Sequence, residues 1–181
     1  MKRYILTGAP GAGKTAILRA MQLRSYPVVE EAATDIVAAA QARGDAQPWI
    51  SPGFIDDIVE LQRRRQERPA PRAAIQIFDR SPVCALALAR FLGWPVSGPL
   101  AKELRRIEQQ AVYERRVFFV ESLGFMTNTD VRRISLEEAR RFGEVHQTAY
   151  RELGYDLVPI APASVADRTE AVVGLVETWG V

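Results

Sequence analysis

Gly8-Ala9-Pro10-Gly11-Ala12-Gly13-Lys14-Thr15 is the stretch that decides the fold. An apolar run, Tyr4-Ile5-Leu6, precedes it, and a helix-like run, Ala16-Ile17-Leu18-Arg19-Ala20-Met21, follows. Gly-x-x-x-x-Gly-Lys-Thr between a strand and a helix is a phosphate-binding loop. Gly8, Gly11 and Gly13 let the backbone curl until successive N–H groups point inward at a phosphate. The helix that starts near Lys14 adds its positive end. Lys14 is placed to reach the β- and γ-phosphates, and the Thr15 hydroxyl to ligate Mg²⁺.

Outward from the loop, strands and helices alternate. Lys2–Thr7 reads as a buried strand and Lys14–Arg24 as its helix. Tyr26–Glu31 is a short strand ending in two carboxylates, and Ala32–Arg43 and Phe54–Arg68 are helical. Ala73–Phe78 is a third strand, closed by Asp79-Arg80-Ser81, and Pro82–Leu92 is a helix that Pro82 can start. Leu100–Ala111 is helical, Val117–Val120 a fourth strand and Gly124–Arg133 irregular. Ser135-Leu136-Glu137-Glu138 is a capping box opening a helix to about Leu153. Tyr155–Pro159 is a fifth strand, followed by a last helix through Val176. Such alternation implies a parallel sheet covered on both faces. Residues 1–181 read as a single domain, with 32–72 a helical segment covering the acceptor and 124–142 a lid.

Composition narrows the function. A formal net charge of +2 gives no argument for nucleic acid. One cysteine, Cys84, forbids an intramolecular disulfide and reads as helix core, with nothing in the sequence bringing it to His146, the only histidine. Zinc ligands are too few. No apolar stretch is long enough to span a bilayer, so a cytoplasmic protein is expected.

Several side chains are placed for chemistry. Asp79, at the carboxyl end of a buried strand, is positioned to hold Mg²⁺, and Arg80 to grip an anion or the transferring phosphoryl group. Glu30 and Glu31 end the second strand; alternation lets one of them reach the site, and Glu31 is the favoured base. Arg132, Arg133 and Arg140 are lid cations that could close over ATP. Ala163, in the small-residue turn after strand five, is placed to border the adenine. Arg63-Arg64-Arg65-Gln66-Glu67-Arg68 reads as a solvated helix face. Thr127-Asn128-Thr129-Asp130 is a faint guanine-reading element, which keeps GTP open.

Together these residues resemble the P-loop kinases of small molecules and nucleosides. The likeness is to the AAA-domain "predicted ATPase" group similar to the ribosylnicotinamide kinase domain of the NAD-biosynthesis regulator. Asp79-Arg80-Ser81 is also similar to the acidic-Arg-Ser motif of deoxynucleoside kinases. The resemblance implies a P-loop three-layer sandwich, with a five-stranded parallel sheet in the order 2-3-1-4-5. It implies ATP- and Mg²⁺-dependent phosphoryl transfer to a small hydroxyl-bearing metabolite, nucleoside-like or antibiotic-like, with a homodimer as an allowed assembly. Thr34 stands where the group tends to have an arginine, and Thr129-Asp130-Val131-Arg132 replaces its Asp-Gly-x-Arg. The alternative is a nucleotide-binding switch, for ATP or GTP, that acts on a protein partner.

Overall fold

β1 (Lys2–Thr7) sits at the centre of a parallel sheet. The computed structural model describes residues 1–68, 73–123 and 135–180. β1 is flanked by β3 (Ile75–Asp79) and β4 (Arg116–Val120); β2 (Val28–Val29) and β5 (Asp156–Ile160) form the edges. The order is β2-β3-β1-β4-β5, with every pairing parallel. Parallel neighbours need crossovers, and these are helices: α1 (Lys14–Leu23), α2 (Ala32–Ala42), α3 (Gly53–Gln66), α4 (Pro82–Phe91), α5 (Gly98–Gln109), α6 (Leu136–Glu152) and α7 (Val165–Gly180). A short 3-10 helix, Pro48–Ile50, lies between α2 and α3.

Strand alternation divides the core into two layers. Ile5, Phe78 and Val117 face one side, packed with Val83, Leu86, Leu100, Phe142 and Tyr150. Tyr4, Leu6, Ile77, Phe118 and Val120 face the other, packed with Ile17, Met21, Val172 and Val176. Trp179 closes this second layer by stacking on Phe118, 5.4 Å between ring centroids.

β2 and β3 are shorter, and the last helix longer, than the residue pattern predicts. β2 has two residues instead of six, so Glu31 serves as the N-terminal boundary residue of α2 rather than the end of a strand. α5 starts at Gly98 because the Ser97 hydroxyl accepts the Leu100 N–H and Pro99 fits a first turn. α7 runs to Gly180, held to β1 by a hydrogen bond from the Lys2 ammonium to the Trp179 carbonyl.

Candidate nucleotide and phosphoryl-transfer site

The carboxyl ends of β1 and β3 lie side by side, with Leu6 opposite Asp79. The loop after β1 therefore opens beside the carboxylate that ends β3. In the loop Gly8, Gly11 and Gly13 all have positive φ, at 141°, 78° and 90°. Gly8 has no room for a side chain: a Cβ there would lie 2.3 Å from the Val120 carbonyl oxygen. α1 then begins without a side-chain cap and without an acidic residue in its first turn. By contrast α4, α5 and α6 are capped by Ser81, Ser97 and Ser135. The first-turn amides of a helix have no internal acceptor, so an uncapped α1 presents N–H donors at the loop, where an anion is the matching ligand.

Lys14 is buried and folds back over the loop, donating to the Gly8 carbonyl at 3.1 Å and the Ala9 carbonyl at 2.8 Å. Thr15 is exposed on the first turn of α1. Ala9 and Ala12 are buried, Gly11 is exposed, and Pro10 and Gly13 are half-buried.

Asp79-Arg80-Ser81 sends three side chains to three tasks. Asp79 is 8% exposed and its Oδ1 has no hydrogen-bond partner. Burial pushes its carboxyl up to about 6; Glu31 adds to that, while Arg80 and Lys14 pull it back. A buried carboxylate oxygen with no hydrogen-bond partner, beside Lys14, suits an oxygen-liking divalent cation. Among the described residues no cluster of three or more His, Cys, Asp and Glu could hold a metal. Mg²⁺ does not require one, since it keeps several waters and takes phosphate oxygens from its substrate.

Arg80 takes a left-handed backbone, φ 71°, stabilised by its N–H donating to the Leu6 carbonyl at 3.1 Å. This bend turns the guanidinium toward α2 and α6. Its Nε donates to Glu31 Oε1 at 2.6 Å, and the two side chains are 10% and 16% exposed. Glu31 Oε2 accepts from the Thr34 hydroxyl at 3.0 Å. Thr34 therefore takes one of the two carboxylate oxygens and Arg80 the other. Burial works against the charge on Arg80, but the neighbouring carboxylates outweigh it and hold the guanidinium above its ordinary range. Ser81 is fully buried; its hydroxyl accepts the Val83 N–H and shares a hydrogen bond of 2.8 Å with the Tyr150 hydroxyl.

Two expectations need correction. Cys84 and His146 are brought together: the packing of α4 on α6 makes them neighbours, and His146 is the first of the groups that pull the Cys84 thiol down against its burial. The cysteine is in the core, but in a polar part of it, 3.2 Å from both the Thr7 and Tyr150 hydroxyls. His146 is fully buried; its Nδ1 donates to the Phe142 carbonyl at 2.9 Å, which leaves Nε2 as acceptor for Arg80 Nη1 at 3.3 Å. The arginine run on α3 is not wholly solvated either. Arg63 and Arg64 pair with Glu67 and Glu60 on the helix surface. Arg65, 13% exposed, instead reaches across to the Glu30 and Glu31 carbonyls and to Asp35. It thereby pins the backbone that carries Glu31.

The remaining expected residues are dispersed. Glu30 is exposed, as are Arg140 on α6 and Ala163 in the turn before α7. Arg132 and Arg133, most of the expected lid and the guanine-like Thr127–Asp130 lie outside the described residues. His146, Thr34, Arg65 and Arg168 escaped the sequence reading. His146 carried a signal as the one histidine in the chain, Thr34 as a departure from the family pattern and Arg65 as part of an arginine run; Arg168 carried none.

A family model described as an AAA domain matches residues 3–168. The chain belongs to this AAA domain family. The sequence matches no curated protein. Solved structures share the fold of this AAA domain. Deoxyadenosine kinase from M. mycoides, with dCMP and dCDP bound, has a TM-score of 0.62 at 13% identity, over 97% of this chain and 98% of its own. Shikimate kinase from Acinetobacter baumannii, in complex with shikimate, has a TM-score of 0.62 at 15% identity, over 98% and 94%. The YorR protein from Bacillus subtilis, in complex with phosphorylated GDP, has a TM-score of 0.55 at 15% identity, over 97% and 96%. The fold of this AAA domain is thus the P-loop kinase fold, with the expected strand order. Among the described residues no helix is long and apolar enough to cross a membrane.

Proposed function

We propose that this AAA domain is an ATP-dependent, Mg²⁺-dependent phosphotransferase acting on a hydroxyl of a small metabolite, nucleoside-like or antibiotic-like. The observation that carries the reading is the Glu31–Arg80 pair, 2.6 Å apart, next to Asp79 and the phosphate loop on one sheet edge. A triphosphatase needs only the loop and the metal carboxylate. A second, buried charge pair turned toward α2 and α6 is what an acceptor hydroxyl would use.

In this reading the loop amides and Lys14 hold the β- and γ-phosphates, leaving the Ala9 and Gly8 carbonyls as Lys14 swings to the nucleotide. Asp79 and Thr15 hold Mg²⁺, which when bound neutralises charge on the β- and γ-oxygens. The acceptor oxygen forms a bond to the γ-phosphorus as the bond to the ADP oxygen breaks, and the hydroxyl proton passes to Glu31. With one oxygen on Arg80 and the other on Thr34, Glu31 is a weakened base. Its larger contribution is orientation, which suits a loose transition state in which the proton leaves late. Arg80 is fixed by its partners near the charge that migrates. Arg140, Arg132 and Arg133 are the proposed lid cations, and Ala163 the proposed adenine neighbour. The finer kinship with ribosylnicotinamide kinase rests on the glutamate, the Asp-Arg-Ser and the arginines taken in order.

The test is ADP release measured over a panel of nucleosides, other hydroxyl metabolites and antibiotic-like molecules, with Lys14→Ala and Asp79→Asn as controls. Release that rises with one acceptor and vanishes in both controls supports the proposal. Release indifferent to every acceptor, together with GTP selectivity in thermal shifts, replaces it with a nucleotide switch.

A further inference from the structure

Arg168 stands on the first turn of α7, on the far side of the phosphate loop from Glu31 and Arg80. Its backbone N–H donates to the Ser164 carbonyl at 3.1 Å. The Ser164 hydroxyl and Asp167 brace the same turn: the hydroxyl donates to Asp167 Oδ2 at 2.6 Å and accepts the Asp167 N–H at 3.1 Å. The side chain is 2% exposed and passes beneath the loop, where Nη1 donates to the Ala12 carbonyl at 2.7 Å. A Cβ on Gly13 would lie 2.7 Å from Nη2 and 3.2 Å from Nη1. The loop's last glycine is therefore also the space that the guanidinium occupies.

Two features of this contact bear on phosphate. The first is orientation. The chain has no cis peptide among the described residues, so the Ala12–Gly13 unit is trans and its C=O and N–H point in opposite directions. Fastening the Ala12 carbonyl down onto Arg168 turns the Gly13 N–H up, into the cradle that the loop forms. The second is charge. Arg168 brings a guanidinium that is almost wholly buried, forms no salt bridge among the described residues and has an Nε with no partner. A buried cation without a counter-charge is costly, and phosphate oxygens in the cradle are the anion for which the loop is shaped.

We infer that Arg168 is a positioning residue of the nucleotide site: it sets the Ala12–Gly13 peptide so that the Gly13 amide meets the phosphate chain, and supplies a fixed positive charge beneath it. The ligand class is a nucleoside di- or triphosphate, read at its phosphate end. The inference rests on nucleotide binding at the loop and not on any acceptor. It also links the turn after β5 to the loop through one side chain, so that the base and phosphate ends of the site are set together.

The test compares wild type, Arg168→Met and Arg168→Lys. ADP affinity is measured by calorimetry with Mg²⁺, tripolyphosphate affinity by displacement of ADP, and folding by thermal melts. Arg168→Met is expected to weaken ADP and tripolyphosphate by the same factor, about tenfold or more, with Arg168→Lys within about threefold of wild type. Unchanged ADP affinity in Arg168→Met overturns the inference. So does weakened ADP binding with tripolyphosphate unchanged, which would put the residue's influence at the base. If Arg168→Met does not fold, Arg168→Gln, which keeps a neutral donor for the Ala12 carbonyl, carries the test. A loss of about threefold or more in both ligands supports the inference, and wild-type affinity overturns it. Wild-type protein that binds neither ligand removes the nucleotide reading itself, a result distinct from a normal wild type with an indifferent variant.

Discussion

Replacing Asp79 with asparagine should make the ligand-free protein more stable while disabling it. Burial raises the Asp79 carboxyl from 3.8 to about 6. Its native state therefore disfavours the ionised form, and the cost grows from the unfolded value near 3.8 upward, reaching its full size above about 6. At ~1.4 kcal/mol per pH unit the gap corresponds to about 3 kcal/mol. Asparagine removes the charge but leaves a polar atom where Oδ1 has no partner, which returns about 1 kcal/mol. The net gain is about 2 kcal/mol, or about 4–8 °C in Tm for a chain of 181 residues. The assay is thermal unfolding in EDTA without nucleotide, at pH 8 and at pH 4. The gain should be present at pH 8 and shrink to a small remainder at pH 4, where the folded wild type carries the proton and the unfolded chain, near its own 3.8, is about half ionised. Adding Mg²⁺ and ADP should then raise the wild-type Tm much more than that of Asp79→Asn. An asparagine variant less stable than wild type at pH 8, or an equal gain at both pH values, would refute the reasoning.

Other perturbations have equally definite outcomes. Lys14→Met removes the ammonium that the loop holds for phosphate and with it the rise in Tm caused by Mg²⁺ and ATP; differential scanning fluorimetry checks it. Gly8→Ala forces a Cβ to 2.3 Å from the Val120 carbonyl, backbone against backbone with φ 141°, and should cost about 3 kcal/mol or more, seen as a lower urea midpoint. His146→Phe strips an acceptor from Arg80 and a donor from the Phe142 carbonyl, costing about 1–3 kcal/mol in urea unfolding. His146→Gln should recover part of that loss, and acceptor-dependent turnover should fall in the Phe variant with the KM for ATP little changed.

The fold was legible because its signals are local. One glycine loop flanked by apolar runs, and strands alternating with helices, lead to a parallel sheet with β1 near its centre. Asp79 was legible for the same reason, as a carboxylate ending an apolar strand. Its neighbours were not. Whether Arg65 is solvated depends on how α3 crosses the Glu30–Glu31 backbone, and no run of arginines encodes a crossing angle. Cys84 and His146 are 62 positions apart by their residue numbers, and only the packing of α4 on α6 unites them. Arg168 looks like an ordinary polar residue on an amphipathic helix until α7 is laid beside α1. The short β2 escaped because strand length there is set by what β3 offers in register, Ile77 and Phe78, and not by the apolar content of residues 26–31.

The position of β1 has a kinetic consequence. It is the first element of the chain, yet Leu6 is paired only when Asp79 and Phe118 arrive, and Tyr4 is covered only when Trp179 does. Such pairings give the domain a high contact order, so loop-closure entropy must be overcome before the central strand gains its neighbours. During synthesis the phosphate loop is made before β4 and α7 and shaped only after them. A nascent chain lacking β4 has no Val120 carbonyl to seat Gly8, and one lacking α7 has no Arg168 beneath Ala12. Nucleotide affinity should therefore report the docking of β4 and α7 rather than formation of β1 and α1 alone, making ligand binding a late folding checkpoint.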